Sequence, residues 1–212
     1  MKPILFNTEM VRAIQNGTKT ATRRVVKPRY GGNLEVHDDP FGTPRLSEKC
    51  GCLCRGLKPP YRPGDILYVR ETWLKDSVRY MYKANYSDDE KFYRGGKEVS
   101  IKWRPSIHMP REAARIFLRV TGVRVERLRE ITELDILEKE GITVGFPQPK
   151  PFYVSLAYTE TRLKPAVRKA FADLWDSTIK PADRARYRWE ANPWVWVIEF
   201  ERCGKPGTMC RT

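Results

Sequence analysis

Apolar residues recur along this chain with two periods, alternation and the helical three-to-four spacing, and the changes of period mark the elements. Pro3-Ile4-Leu5-Phe6 predicts a strand. In the next segment Met10, Val11 and Ile14 fall on one helical face, with Thr8 as cap and Gly17 where a left-handed C-cap falls. Residues 22–27 predict a second strand, ended by Pro28. Residues 28–60 are broken by Gly and Pro and keep no period, which predicts an irregular insertion. The turn signal Y-R-P-G-D then leads into a strand over residues 66–73, in which Leu67, Val69, Glu71 and Trp73 share a face. Residues 80–86 predict a further strand, followed by a hairpin or loop to residue 102.

Further along, W-R-P-S-I-H-M-P-R is a loop held by two prolines, with one helical turn predicted over residues 111–114. Ile116, Leu118 and Val120 alternate with Arg115, Phe117 and Arg119 as in a strand, and Gly122 predicts a bulge. I-T-E-L-D-I-L-E-K-E-G predicts a helix capped by Thr132 and stopped by Gly141. Residues 142–160 are irregular. Leu163, Val167, Phe171 and Leu174 form the stripe of a helix over residues 159–175, with Pro165 at its start or at a kink. In the closing N-P-W-V-W-V-I-E-F-E-R, Trp194, Trp196, Ile198 and Phe200 face one way. This hydrophobic last strand must pair with something earlier. Long crossover helices for a parallel sheet are missing, so the expected fold is α+β, a small mixed β-barrel closed by its last strand. The expected organisation is one domain over residues 1–212, with the two insertions and no internal repeat.

Composition narrows the function. Of 212 residues, 41% are apolar, including six Trp, ten Tyr and eight Phe, enough for a core. No apolar run approaches the ~20 residues that cross a bilayer, and the N-terminus lacks a secretory signal, so a cytoplasmic protein without a membrane partner is expected. Forty Lys and Arg against 26 Asp and Glu give a net charge of +14, which with interleaved aromatics favours a phosphate polymer as partner. The five cysteines are an odd number in such a chain and argue against a disulfide framework. Cys50, Cys52 and Cys54 stand in a C-x-C-x-C spacing for which a fourth zinc ligand would be His37, Cys203 or Cys210. Zinc sites ordinarily carry C-x2-C pairs, so free thiols are expected, with no metal and no cofactor.

Four motifs carry the candidate chemistry: G-T-K-T-A-T-R-R after the first helix, P-G-D-I-L-Y-V-R-E-T-W, W-R-P-S-I-H-M-P, and the closing N-P-W-V-W-V-I-E-F. In this order they resemble an ASCH-domain protein, in the long form found in phages and prophages of bacteria. The resemblance spans most of the chain and informs residues 28–60 and 142–190 least. It implies a PUA-like small β-barrel with flanking helices and an association with RNA. One ASCH branch is similar to bacterial N4-acetylcytidine amidohydrolases, whose Lys, Thr and Glu correspond to Lys19, Thr22 and Glu71 here; other ASCH proteins cut single-stranded RNA. On that resemblance Thr22 would be nucleophile, Lys19 a base with a lowered pKa, and Glu71 its orienting or proton-shuttling partner. The plainer alternative is a structural salt bridge, because a buried Glu71 needs a cation and Lys19, Arg23 or Arg24 can supply it.

Around these, Arg23 and Arg24 suit phosphate or a carbonyl. Trp73 and Trp103 can stack on a base or simply pack in the core. Ser106, His108 and Arg111 lie on the proline-held loop, where side chains meet ligands. The leading expectation is RNA or a modified nucleoside or nucleotide bound in a basic pocket between the post-helix turn and the Glu71 strand. The alternatives are an amidohydrolase or ribonuclease using Lys19, Thr22 and Glu71, and a phage accessory factor that binds a protein not identified by the sequence.

Overall fold

The last strand finds its partners among the earlier ones. The computed structural model describes residues 1–28, 33–38, 44–50, 53–142 and 163–206. In chain order these form β1 (Lys2–Leu5), α1 (Thr8–Gln15), β2 (Ala21–Val25), β3 (Asn33–Asp38), β4 (Pro44–Cys50), β5 (Leu53–Gly56), β6 (Ile66–Arg70), β7 (Trp73–Lys75) and β8 (Tyr80–Tyr82). They continue with β9 (Phe92–Arg94), β10 (Lys97–Val99), β11 (Phe117–Arg127), α2 (Glu133–Lys139), α3 (Lys164–Thr178), α4 (Arg184–Tyr187) and β12 (Trp194–Cys203). No helix among the described residues is long and apolar enough to cross a membrane.

The main sheet has five strands in the order β1-β6-β11-β12-β2. β1 and β6 run parallel, and every other pair is antiparallel. The α+β class and the mixed sheet match the expectation; closure does not. The edge strands β1 and β2 share no ladder, so the sheet is open and not a barrel. The reason lies in β1. Pro3 has no N–H to give a neighbour, its carbonyl accepts from the Tyr61 hydroxyl at 2.7 Å, and the Leu5 carbonyl accepts from Arg24 Nη2 at 2.7 Å. Side chains thus occupy the carbonyls that a strand would need.

β12 runs through the middle of the molecule. Trp196, Ile198 and Phe200 pack with Ile4, Phe6, Val11, Ile14, Leu67, Val69 and Leu118. Val195 and Val197 face the other way, against Ile136 of α2 and Val167, Phe171 and Trp175 of α3. Burying each such aliphatic side chain stabilises by about 1.5–3 kcal/mol. Register shifts at Val120/Gly122, the expected bulge. A Cβ on Gly122 would sit 3.1 Å from Glu199 Oε2, so the glycine also leaves room for that carboxylate.

Other local expectations shift. α1 is capped by Asn7, whose Oδ1 accepts from Met10 N at 2.8 Å, and not by Thr8. The strand expected over residues 80–86 is confined to β8, and Lys83–Asn85 turns as a 3-10 helix. α3 has Pro165 in its first turn, where a missing N–H costs nothing; its expected start before residue 163 lies outside the described residues. The segment expected to be irregular contains the three-stranded sheet β3-β4-β5, and Leu46 of β4 is wholly buried in the main core. Of the cysteines weighed as zinc ligands and expected to be free thiols, Cys52 and Cys210, and the side chains of Cys50 and Cys54, lie outside the described residues. Among those described, no group of His, Cys, Asp and Glu could hold a metal.

Candidate functional site

The post-helix turn projects its cations inward. Gly17, at φ +77°, ends α1, and Lys19 then forms an isolated bridge with Glu140 at the end of α2. Lys19 Nζ donates to Glu140 Oε2 at 2.5 Å, and its side chain is wholly buried. Burial pulls the ammonium pKa down; Glu140 opposes this without cancelling it. The other carboxylate oxygen of Glu140 accepts from Arg23 Nη1. Arg23 Nε donates to Glu126 Oε1 at 2.8 Å, and the buried Nη2 lies 2.8 Å from the same oxygen, an ion-pair contact without hydrogen-bond alignment. The network continues through Arg124, which bonds Glu126 and Glu199, to Lys139, which meets Glu199 and Asp135.

Gly141 makes this clasp sterically feasible. Its φ is +68°, and a Cβ there would fall 2.6 Å from Ala13 Cβ and 3.2 Å from Lys19 Cβ. The Thr20 N–H also donates to the Lys139 carbonyl at 2.9 Å. The end of α2 is therefore pressed on to the turn that carries Lys19.

Glu71 is buried as expected, but its partner is neither Lys19, Arg23 nor Arg24. Arg115 grips it with a two-bond fork, Nε to Oε1 and Nη2 to Oε2, both 2.8 Å. Arg115 also donates to Asn85 Oδ1 at 2.8 Å and lies 4.0 Å over the Tyr82 ring. The cause is register. β6 and β11 pair Tyr68 with Phe117 in antiparallel sense, which carries Arg115 towards the end of β6, while Glu140 and Glu126 occupy Lys19 and Arg23. Thr22 is buried opposite Ile198. Among the described residues no hydrogen bond or ion pair joins Lys19, Thr22 and Glu71 to one another.

The remaining expected residues fall into separate neighbourhoods. Trp73 packs with Met109, Ala113 and Phe117, beneath the Arg104 guanidinium, with its indole Nε1 unpartnered. Trp103 is half-buried against Tyr86 and Phe92. Ser106 and His108 form a 3-10 turn beside β6, tied there by Arg70 donating to the Met109 and Ile107 carbonyls. His108 and Arg111 are exposed.

Arg24 alone among the turn's cations points to an opening. A cleft of about 400 Å³ lies between β1 and β2, lined by Leu5, Arg24, Lys58, Pro60, Tyr61 and Trp196 among others. Arg24 lies 5.5 Å over the Phe6 ring and spends one hydrogen bond on the Leu5 carbonyl. Among the described residues it has no ion pair. Burial lowers its pKa, and the fields of Tyr61 and Glu140 recover only part. Burial likewise raises the Tyr61 phenol. A guanidinium withdrawn from water without a counter-charge is costly, and a bound anion offsets that cost. Lys58 and Tyr61 were not among the expected site residues, since P-P-Y-R-P-G-D carries only a turn signal; their place depends on where the chain re-enters beside β1.

No protein-family model, no curated protein and no solved structure matches the chain.

Proposed function

We propose that this protein is an ASCH-type, PUA-like RNA-binding protein that takes a nucleotide, plain or base-modified, in the cleft between β1 and β2. The four ordered motifs, the sheet-rich α+β architecture and the net charge of +14 support the reading. The observation that carries it is Arg24, half-buried in the cleft without an acidic partner among the described residues. Its free N–H groups suit a phosphate. Tyr61 offers a ring for a base, worth about 1–3 kcal/mol where such stacking occurs. Lys58, on the exposed rim, adds charge to the approach.

Titrating a fluorescein-labelled oligocytidylate and following anisotropy tests this. Binding that weakens steeply with salt is expected. Arg24→Ala should cost about 1.5–3 kcal/mol of affinity, roughly ten- to hundredfold, in a variant whose cooperative melting shows that it is folded. Equal affinity of Arg24→Ala and the parent would overturn the cleft as the site.

Hydrolysis by Lys19, Thr22 and Glu71 is the second reading, and the lowered pKa of Lys19 favours it. Its geometry is less suited: Lys19 Nζ is held by Glu140, and Glu71 by Arg115. The binding reading expects no acetate from N4-acetylcytidine and no shortened RNA. Acetate release that disappears in a folded Lys19→Ala variant would put the hydrolase reading first.

A further inference from the structure

Three arginines outside the cleft stand close together without a partner for their charge among the described residues. Arg184, Arg186 and Arg188 are exposed, and among the described residues none of their side chains has a hydrogen bond, ion pair or ring contact. The guanidiniums of Arg12, Arg23, Arg115, Arg124 and Arg168 each meet a carboxylate. The side chains of Arg79, Arg111 and Arg129 are exposed and unpartnered among the described residues too, but they are scattered along the chain, whereas Arg184, Arg186 and Arg188 fall within five residues. Two acids stand nearby. Asp183 is occupied by Lys27 at 3.1 Å, and Glu190 lies in the groove shared with Arg129 and Arg168.

The backbone of the segment is firmly held, so the three side chains leave from fixed points. Trp175 Nε1 donates to the Tyr187 carbonyl at 2.7 Å, the Trp189 N–H donates to Asp176 Oδ1 at 2.7 Å, and the Trp189 ring packs edge-on against Phe171 at 5.8 Å. It also adjoins the cleft along β2. Arg24 enters the cleft, and Lys27, three residues on and pointing to the other side of the chain, reaches Asp183 and lies 5.5 Å over the Tyr187 ring. The segment therefore lies around the β2 edge from the cleft. Three residues span at most roughly 10 Å.

We infer that Arg184, Arg186 and Arg188, joined to Arg24 through Lys27, form a ledge for the phosphates of a single-stranded polynucleotide whose end or unpaired residue sits in the cleft. The ligand of the cleft is then a strand and not a free nucleotide. This rests on the nucleotide reading of the cleft. Three like charges within five residues repel one another, and a polyanion relieves this, with guanidinium forks matching phosphate oxygens.

The triple variant R184Q/R186Q/R188Q tests the ledge, with labelled oligocytidylate read by anisotropy and cytidine monophosphate by calorimetry. Oligomer affinity should fall about tenfold or more, and the slope of log K against log salt should flatten by about 2, at ~0.7 per single-strand phosphate. Monophosphate binding and the melting temperature should not change. Unchanged oligomer binding in the triple variant, or parent protein that binds oligomer no more tightly than monophosphate, would overturn the ledge and leave the cleft standing. Loss of oligomer binding in the triple variant but not in Arg24→Ala would leave the ledge and remove the cleft. Parent protein that binds neither ligand removes both.

Discussion

Among individual residues, Glu140 does what Glu71 was expected to do. The sequence shows that a cation-rich turn follows α1 and that Glu71 is buried, but not which charges meet. Pairing depends on two long-range facts: the β6–β11 register that brings Arg115 to Glu71, and the docking of α2 that brings Glu140 to Lys19 and Arg23. The stop at Gly141 is legible; that the stop lands against Ala13 is not. The consequence is measurable. Removing one partner of a buried ion pair leaves charge uncompensated, at about 3–5 kcal/mol. Glu140→Ala strands the Lys19 ammonium and one arm of Arg23, so urea unfolding should show a loss of that size. A loss below about 1 kcal/mol would mean that the clasp is not what fastens α2 to the turn.

At the scale of elements, strong periodicity was legible and interrupted periodicity was not. α2 announces both ends, because Thr132 accepts from the Asp135 N–H and Gly141 takes a positive φ that other residues avoid. The bulge at Gly122 was legible because a lone glycine interrupts an alternating strand run there. The sheet β3-β4-β5 was hidden because its alternation carries a charge on the inside: Glu48 is buried two residues from the buried Leu46. β12 was found, but its second face was not anticipated. W-V-W-V-I has apolar residues at every position, and a continuous run of this kind fits a strand covered on both faces. Trp196 and Ile198 fill one core while Val195 and Val197 fill the other. That arrangement puts β2 at the sheet's edge, and with it Arg24 at the cleft.

In the whole molecule, barrel closure could not be read from the strands because it is decided by side chains. Tyr61 and Arg24 take β1 carbonyls, and the open edge that results is the cleft. The large positive charge acts at the same scale, since it repels itself and is tolerable where carboxylates are paired. At Asp65, hydrogen bonds from Lys2 and the Arg62 N–H hold the carboxyl below its ordinary 3.8. At Glu199 burial pushes upward, but Arg124 and Lys139 outweigh it and leave the group below its ordinary 4.5. At Asp135 burial is likewise outweighed, by Lys139 and Thr132. Each group is a stronger acid folded than unfolded, so as pH falls the unfolded chain takes up protons first. Their stabilisation is complete above the ordinary values and is lost as pH drops through the lower, folded ones. Protonation also raises the net charge beyond +14, which adds repulsion. Urea midpoints should therefore be level from about pH 7 to about pH 5 and decline below about pH 4. Added salt should recover the part due to long-range repulsion, since screening acts on separated charges more than on contact pairs. A midpoint that stays level to about pH 3 would show that these carboxylates do not hold the fold together, and that this surface carries its positive charge without their help.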